Sequence, residues 1–124
     1  MIVELPWAKP PLTQNRSSRA DNPYVKAARV RDAKKAARFA IFAAKLPRLA
    51  GANITLHYRP ATRHRRDADG TCATLKVCLD ALVAEGILHD DSWVEVPFSG
   101  HRIHEPNGTP AAMWLHIEPL GERP

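Results

Sequence analysis

No stretch of this chain stays apolar for the roughly 20 residues that a bilayer-spanning helix requires. No hydrophobic signal core follows Met1, so the expectation is a cytoplasmic protein with no membrane partner. Cysteine is scarce. Cys72 and Cys78 stand apart in a helical pattern without a CxxC pair. That excludes a disulfide scaffold and fits small apolar residues in a reducing compartment. Histidine pairing is also missing: no two fall at i, i+4 on an expected helix, and His89, His101 and His104 do not make a zinc motif. Acidic residues run short as well, 13 against 18 Lys and Arg, leaving a net charge of +5. Such a balance favours a polyanionic partner but says nothing about fold.

What is present suits one globular domain. The 124 residues are 44% hydrophobic and 25% charged, enough for a single core. Ile2 to Leu5 reads as an edge strand stopped by Pro6. A proline-stiffened loop carries Arg16 and Arg19, either a surface connection or a substrate contact. Asp21 or Asn22 can cap a helix that begins at Pro23 and runs to about Lys45. Val25, Ala33, Ala37, Ala40, Ile41 and Ala44 give it a shallow apolar stripe. Its other side, with Lys26, Arg31, Lys34, Lys35 and Arg38, is a solvated face or a phosphate contact. Ala52 to Tyr58 reads as a strand ended by Pro60. Cys72, Leu75, Cys78, Leu79, Leu82 and Val83 recur at helical spacing, with Gly86 as the C′ residue. Trp93 to Phe98 suggests a third strand. Asn107-Gly108 suggests a hairpin tip, and Met113 to Ile117 a fourth strand ended by Pro119. The order β-α-β-α-β-β predicts a small α/β domain with a mixed four-stranded sheet.

The stretch from Arg63 to Asp91 carries the chemistry. Arg63, Arg65 and Arg66 attract phosphate, yet Asp67 and Asp69 follow at once and repel it. The conflict disappears if the carboxylates hold a divalent cation, because Mg²⁺ or Mn²⁺ takes carboxylate, water and phosphate oxygens together. Asp90 and Asp91 close the segment beyond a helix that carries Lys76 and Asp80, with His64 and His89 flanking the acids. If the strands on either side are neighbours, both acid pairs can converge at one end of the sheet. The plain alternative is a capped helix with an acidic approach, followed by an ordinary turn.

Arg65-Arg66-Asp67-Ala68-Asp69, then Lys76, Leu79-Asp80-Ala81-Leu82, Gly86 and Asp90-Asp91, resembles the RusA family of Holliday junction resolvases. Leu5-Pro6-Trp7, Pro10-Pro11 and Asn15-Arg16 resemble the start of the same family. The resemblance implies a small α/β homodimer, often phage-encoded, that cuts four-way DNA junctions with Mg²⁺ or Mn²⁺. It places the essential carboxylates on Asp67, Asp69 and Asp91 and the catalytic lysine on Lys76. Arg63, Arg65, Arg66, Arg16, Lys34 and Lys35 would then position phosphates. Two positions depart from the family: Gly70 stands where Asn is usual, and Lys76 lies seven residues after Asp69 rather than four. A nucleic-acid-binding module that lost catalysis, and an interaction protein whose acids merely cap elements, are the competing expectations. Trp7, Trp93 and Trp114 are candidates for a dimer interface.

Overall fold

The computed structural model describes residues 1–12, 23–63 and 71–122. Its elements are β1 (Ile2–Glu4), α1 (Pro23–Ala44), β2 (Leu49–Arg59), α2 (Cys72–Ala84), β3 (Ser99–Ile103) and β4 (Ala112–Glu122). The expected order of strands and helices holds, and the sheet is mixed. It runs β1-β4-β2-β3, with β4 antiparallel to both β1 and β2, and β2 parallel to β3. No described helix is long and apolar enough to cross a membrane.

Alternation along the two long strands decides which face is covered. Ile54, Leu56 and Tyr58 of β2 and Met113, Leu115 and Ile117 of β4 are buried in one cluster with Ala33, Ala37 and Ile41 of α1 and Leu75, Cys78, Leu79 and Leu82 of α2. Residues of the opposite parity, among them His57, Arg59, Trp114 and His116, fall on the other face of the sheet. The α1 stripe is narrower than its sequence suggests: Val25 and Ala44 are exposed. Small alanines at the contact let α1 approach α2 closely, and Arg38 Nε reaches Glu85 Oε2 at 2.7 Å across the pair. Burial pushes the Cys78 thiol up to about 12, so it behaves as an inert apolar group. Asp21 and Asn22, the expected cap of α1, lie outside the described residues.

Three strand expectations need correction. Residues 93–98 are not a strand. Trp93, Val94 and Phe98 are exposed while Val96 alone of the expected apolar set is buried, because Glu95 and Val96 donate their N–H groups back to the Ser92 carbonyl in a turn. Strand β3 starts only at Ser99. Asn107-Gly108 is not a hairpin tip either. Gly108 does turn the chain at φ 84°, but β2 lies between β3 and β4, so the connection crosses the sheet. Finally, β4 runs through Pro119. Ile117 donates its N–H to Met1 O beside β1. Pro119 lies outside the β1–β4 register, which covers Trp114 to His116, so its ring nitrogen takes no part in that ladder.

Candidate active site

Lys76 projects from the second turn of α2. Its Nζ donates to Asp91 Oδ2 at 2.9 Å and lies 3.2 Å from Asp80 Oδ1, one turn further along the helix. Asp80 Oδ2 is in turn 3.9 Å from Lys34 Nζ on α1. Cation and anion thus alternate from α1 across α2 to the turn at Asp91. The hydrogen bond from Lys76 holds the Asp91 carboxyl below the usual carboxylate range. The bonds to Asp91 and then Asp80 raise the Lys76 ammonium in return. The signs follow directly. Asp91 stays ionised until the pH falls through its depressed value, and Lys76 stays charged until the pH rises beyond the ordinary lysine range. Since the Lys76 side chain is 63% exposed, water screens these pairs and their contribution to stability is small.

The turn that presents Asp91 is built from backbone outward. After α2, Gly86 takes φ 77°. Gly86 N donates to Val83 O and Ile87 N to Leu82 O, both at 3.0 Å, which is the Schellman arrangement expected of a C′ glycine. Leu49 N then bonds Ile87 O and Ala52 N bonds Glu95 O, each at 2.8 Å. Residues 88–94 are therefore an excursion pinned to β2 at both ends. Inside it, Glu95 Oε2 accepts from His89 N at 3.0 Å and Asp90 N at 2.9 Å, and Asp90 Oδ1 accepts from Asp91 N at 2.8 Å. Asp90 is occupied in closing the turn. Asp91 is the carboxylate turned to Lys76. Glu95, which organises this turn, was not legible in the sequence because a single glutamate between two valines carries no pattern.

The expected convergence at one end of the sheet takes a different form. β2 and β3 are neighbours joined through α2, but they are parallel, so the chain leaves β2 at the end opposite the start of β3. Asp91 reaches Lys76 because its turn runs out along the flank of α2, not because two strand ends coincide. Arg63 is described and exposed, with Nη2 3.1 Å from Glu105 Oε1. Lys34 and Lys35 line a basic groove along α1 with Lys26, Arg31 and Arg38. Arg16, His64, Arg65, Arg66, Asp67, Asp69 and Gly70 lie outside the described residues.

Among the described residues no three His, Cys, Asp or Glu side chains are grouped as metal ligands. Asp91 by itself fits a hard divalent cation: it is an ionised oxygen donor, only partly buried, beside a basic surface. No family model and no curated protein matches this chain.

A second cluster lies on the sheet face away from the helices. His57 Nδ1 and His104 Nε2 are 2.7 Å apart. With ring centroids 5.0 Å apart and planes inclined by only 22°, the imidazoles lie edge to edge along one N–H···N bond rather than one above the other. The Trp114 indole is parallel to both within 20°, at 5.2 and 5.3 Å, too close for rings side by side, so it lies across the pair. Burial lowers the pKa of both histidines, with the His104 charge the next cause at His57 and Arg102 the next at His104. Only one proton fits between the facing nitrogens. The signal for this cluster was the polar parity of β2 and β4, His57 and Arg59 against Trp114 and His116.

Proposed function

We propose that this protein is a Mg²⁺- or Mn²⁺-dependent endonuclease that hydrolyses phosphodiester bonds in four-way DNA junctions, working as a homodimer in the cytoplasm in DNA recombination and repair. The observation that carries the reading is the Lys76–Asp91 contact, which joins residues fifteen apart in sequence and sets the lysine of the Arg63–Asp91 pattern beside its last carboxylate. Asp67, Asp69 and Asp91 would supply the oxygen donors that such a cation takes. When bound, the cation neutralises charge on the scissile phosphate and makes a coordinated water acidic enough to attack. Asp91, ionised and aimed by Lys76, contributes a fixed carboxylate. The Lys76 ammonium stands beside it to offset the extra negative charge of the pentacoordinate transition state. Arg16, Arg63, Arg65, Arg66, Lys34 and Lys35 hold phosphates without reading sequence.

A junction is cut symmetrically on two strands, and a two-fold dimer offers two sites with that symmetry. Exposed Phe39 and Phe42 on α1, and Trp93 and Val94 on the 88–94 turn, are apolar surface available to such an interface. The alternative, a binding module without catalysis, draws on Gly70 and on the double carboxylate pairing of Lys76. Incubating an end-labelled four-way junction with the protein, with and without Mg²⁺, separates the readings. Paired cuts that need the cation are expected. Binding without cutting supports the module, and neither binding nor cutting defeats both.

A further inference from the structure

On the sheet face away from the helices an open cavity of about 610 Å³ lies between the chain after β1 and the edge of β4. Its walls include Glu4, Pro6, Trp7, Arg59, Ala112 and Trp114. Of the ring cluster described above only Trp114 lines it, so the indole is a partition with the His57–His104 pair behind it. That backing matters. Two imidazoles locked together by an N–H···N bond hold the indole flat and leave it little freedom to lose on binding. Arg59 has unused capacity at the same wall. Its Cζ lies over the indole, 5.6 Å from the ring centroid, its Nη2 makes a long 3.4 Å bond to the Pro110 carbonyl, and its buried Nε has no hydrogen-bond partner among the described residues. Glu4 is the Cα partner of Trp114 across the strand pair and supplies an exposed carboxylate.

We infer that this cavity receives one unstacked nucleobase of a nucleic-acid strand. The chemistry of the walls selects that occupant. The Trp7 and Trp114 rings that line the cavity offer aromatic surface to a flat heteroaromatic ring. The Glu4 carboxylate accepts from an exocyclic amino group, which favours adenine, cytosine or guanine over thymine. The Arg59 guanidinium takes a ring acceptor or the adjoining phosphate. A purely apolar guest would leave the Glu4 and Arg59 groups unpaired, at a cost. A divalent cation is disfavoured by Arg59 and Arg102 beside the imidazoles. The occupant is a strand rather than a free nucleotide because the charge extends beyond the cavity: Arg102 lies on the same sheet face, opposite His57 in the β2–β3 register, and the chain as a whole carries +5. The inference rests on the proposed nucleic-acid partner, not on cleavage.

The test uses the intact protein in chelator, so that no strand is cut. A short single-stranded oligonucleotide carrying one 2-aminopurine is titrated with protein, beside the same sequence as duplex and beside free adenosine monophosphate. The expected result is quenched 2-aminopurine emission and binding to the single strand about tenfold or more tighter than to duplex. Arg59→Ala and Trp7→Leu each weaken single-strand binding several-fold. Trp7→Leu lies outside the sheet, so it reports even if Trp114→Leu fails to fold. Equal affinity for duplex, absent quenching, or unchanged binding by both variants overturns the inference. So does monophosphate binding as tight as the strand. Quenching by a protein that never cuts a junction with Mg²⁺ upholds the cavity and overturns the nuclease reading. Junction cutting without quenching does the reverse.

Discussion

At the level of single residues, Lys76 is where the functional and the plain readings diverge. Its i, i+4 contact with Asp80 is an ordinary helical pair, worth only a few tenths of a kcal/mol. The contact with Asp91 is not ordinary, since it joins α2 to a turn held in place by other residues. Lys76→Ala is expected to reduce junction cleavage tenfold or more, about 1.4 kcal/mol or more of transition-state stabilisation. The thermal midpoint should barely move, because both carboxylates can turn to water. Cleavage kinetics and a melting curve on the same sample check both halves, and full cleavage by the variant removes Lys76 from the chemistry. Lys76 and Asp80 were legible as neighbours on one helix face, because four residues make about one turn. The His57–His104 contact was not legible, because it joins β2 to the residue just after β3, and no local pattern announces the pairing of those two strands.

At the level of elements, legibility followed the strength of the local signal. Helix α2 was readable because its apolar residues keep one period and Gly86 closes it. The third strand was misplaced because Trp93, Val94, Val96 and Phe98 look like a strand by composition, while a turn at Ser92 and a carbonyl bond to β2 consume the backbone first. Gly51 is the residue that permits this. A Cβ there would meet the Glu95 carbonyl oxygen at 2.7 Å, a backbone atom that cannot swing aside. Gly51→Ala is therefore expected to cost about 1–3 kcal/mol by overpacking, measurable by urea denaturation. It should also lower cleavage by shifting the turn that carries Asp91. Wild-type stability in this variant means that Glu95 does not pin the turn. The extension of β4 through Pro119 was hidden for a related reason: whether a strand tolerates proline depends on which of its residues pair on the side its nitrogen faces.

For the whole molecule, the mixed α/β sheet was legible from the alternation of elements, whereas its order was not, because β4 inserts between β1 and β2. That insertion produces the uncovered face with Trp114. It also changes the expected interface. Of the three tryptophans, Trp7 and Trp114 line the cavity beside β1, Trp7 also packing against the core and Trp114 on the histidine pair. Trp93 is 80% exposed and is the one left for a partner. Light scattering at micromolar concentration is expected to give twice the 13.8 kDa chain mass, and Trp93→Ser to shift it toward the monomer. A wild-type monomer contradicts the dimer.

In the proposed function, carboxylates in the Arg63–Asp91 stretch hold a catalytic cation against the phosphate backbone. Asp69→Asn tests this most directly, because the side chain keeps its shape and loses the charge that binds the metal and repels phosphate. Gel shift and Mg²⁺-dependent cleavage of one labelled four-way junction, run on one preparation, are the measurement. The expected result is cleavage abolished with junction binding unchanged or tighter. Cleavage near the wild-type rate would contradict the account.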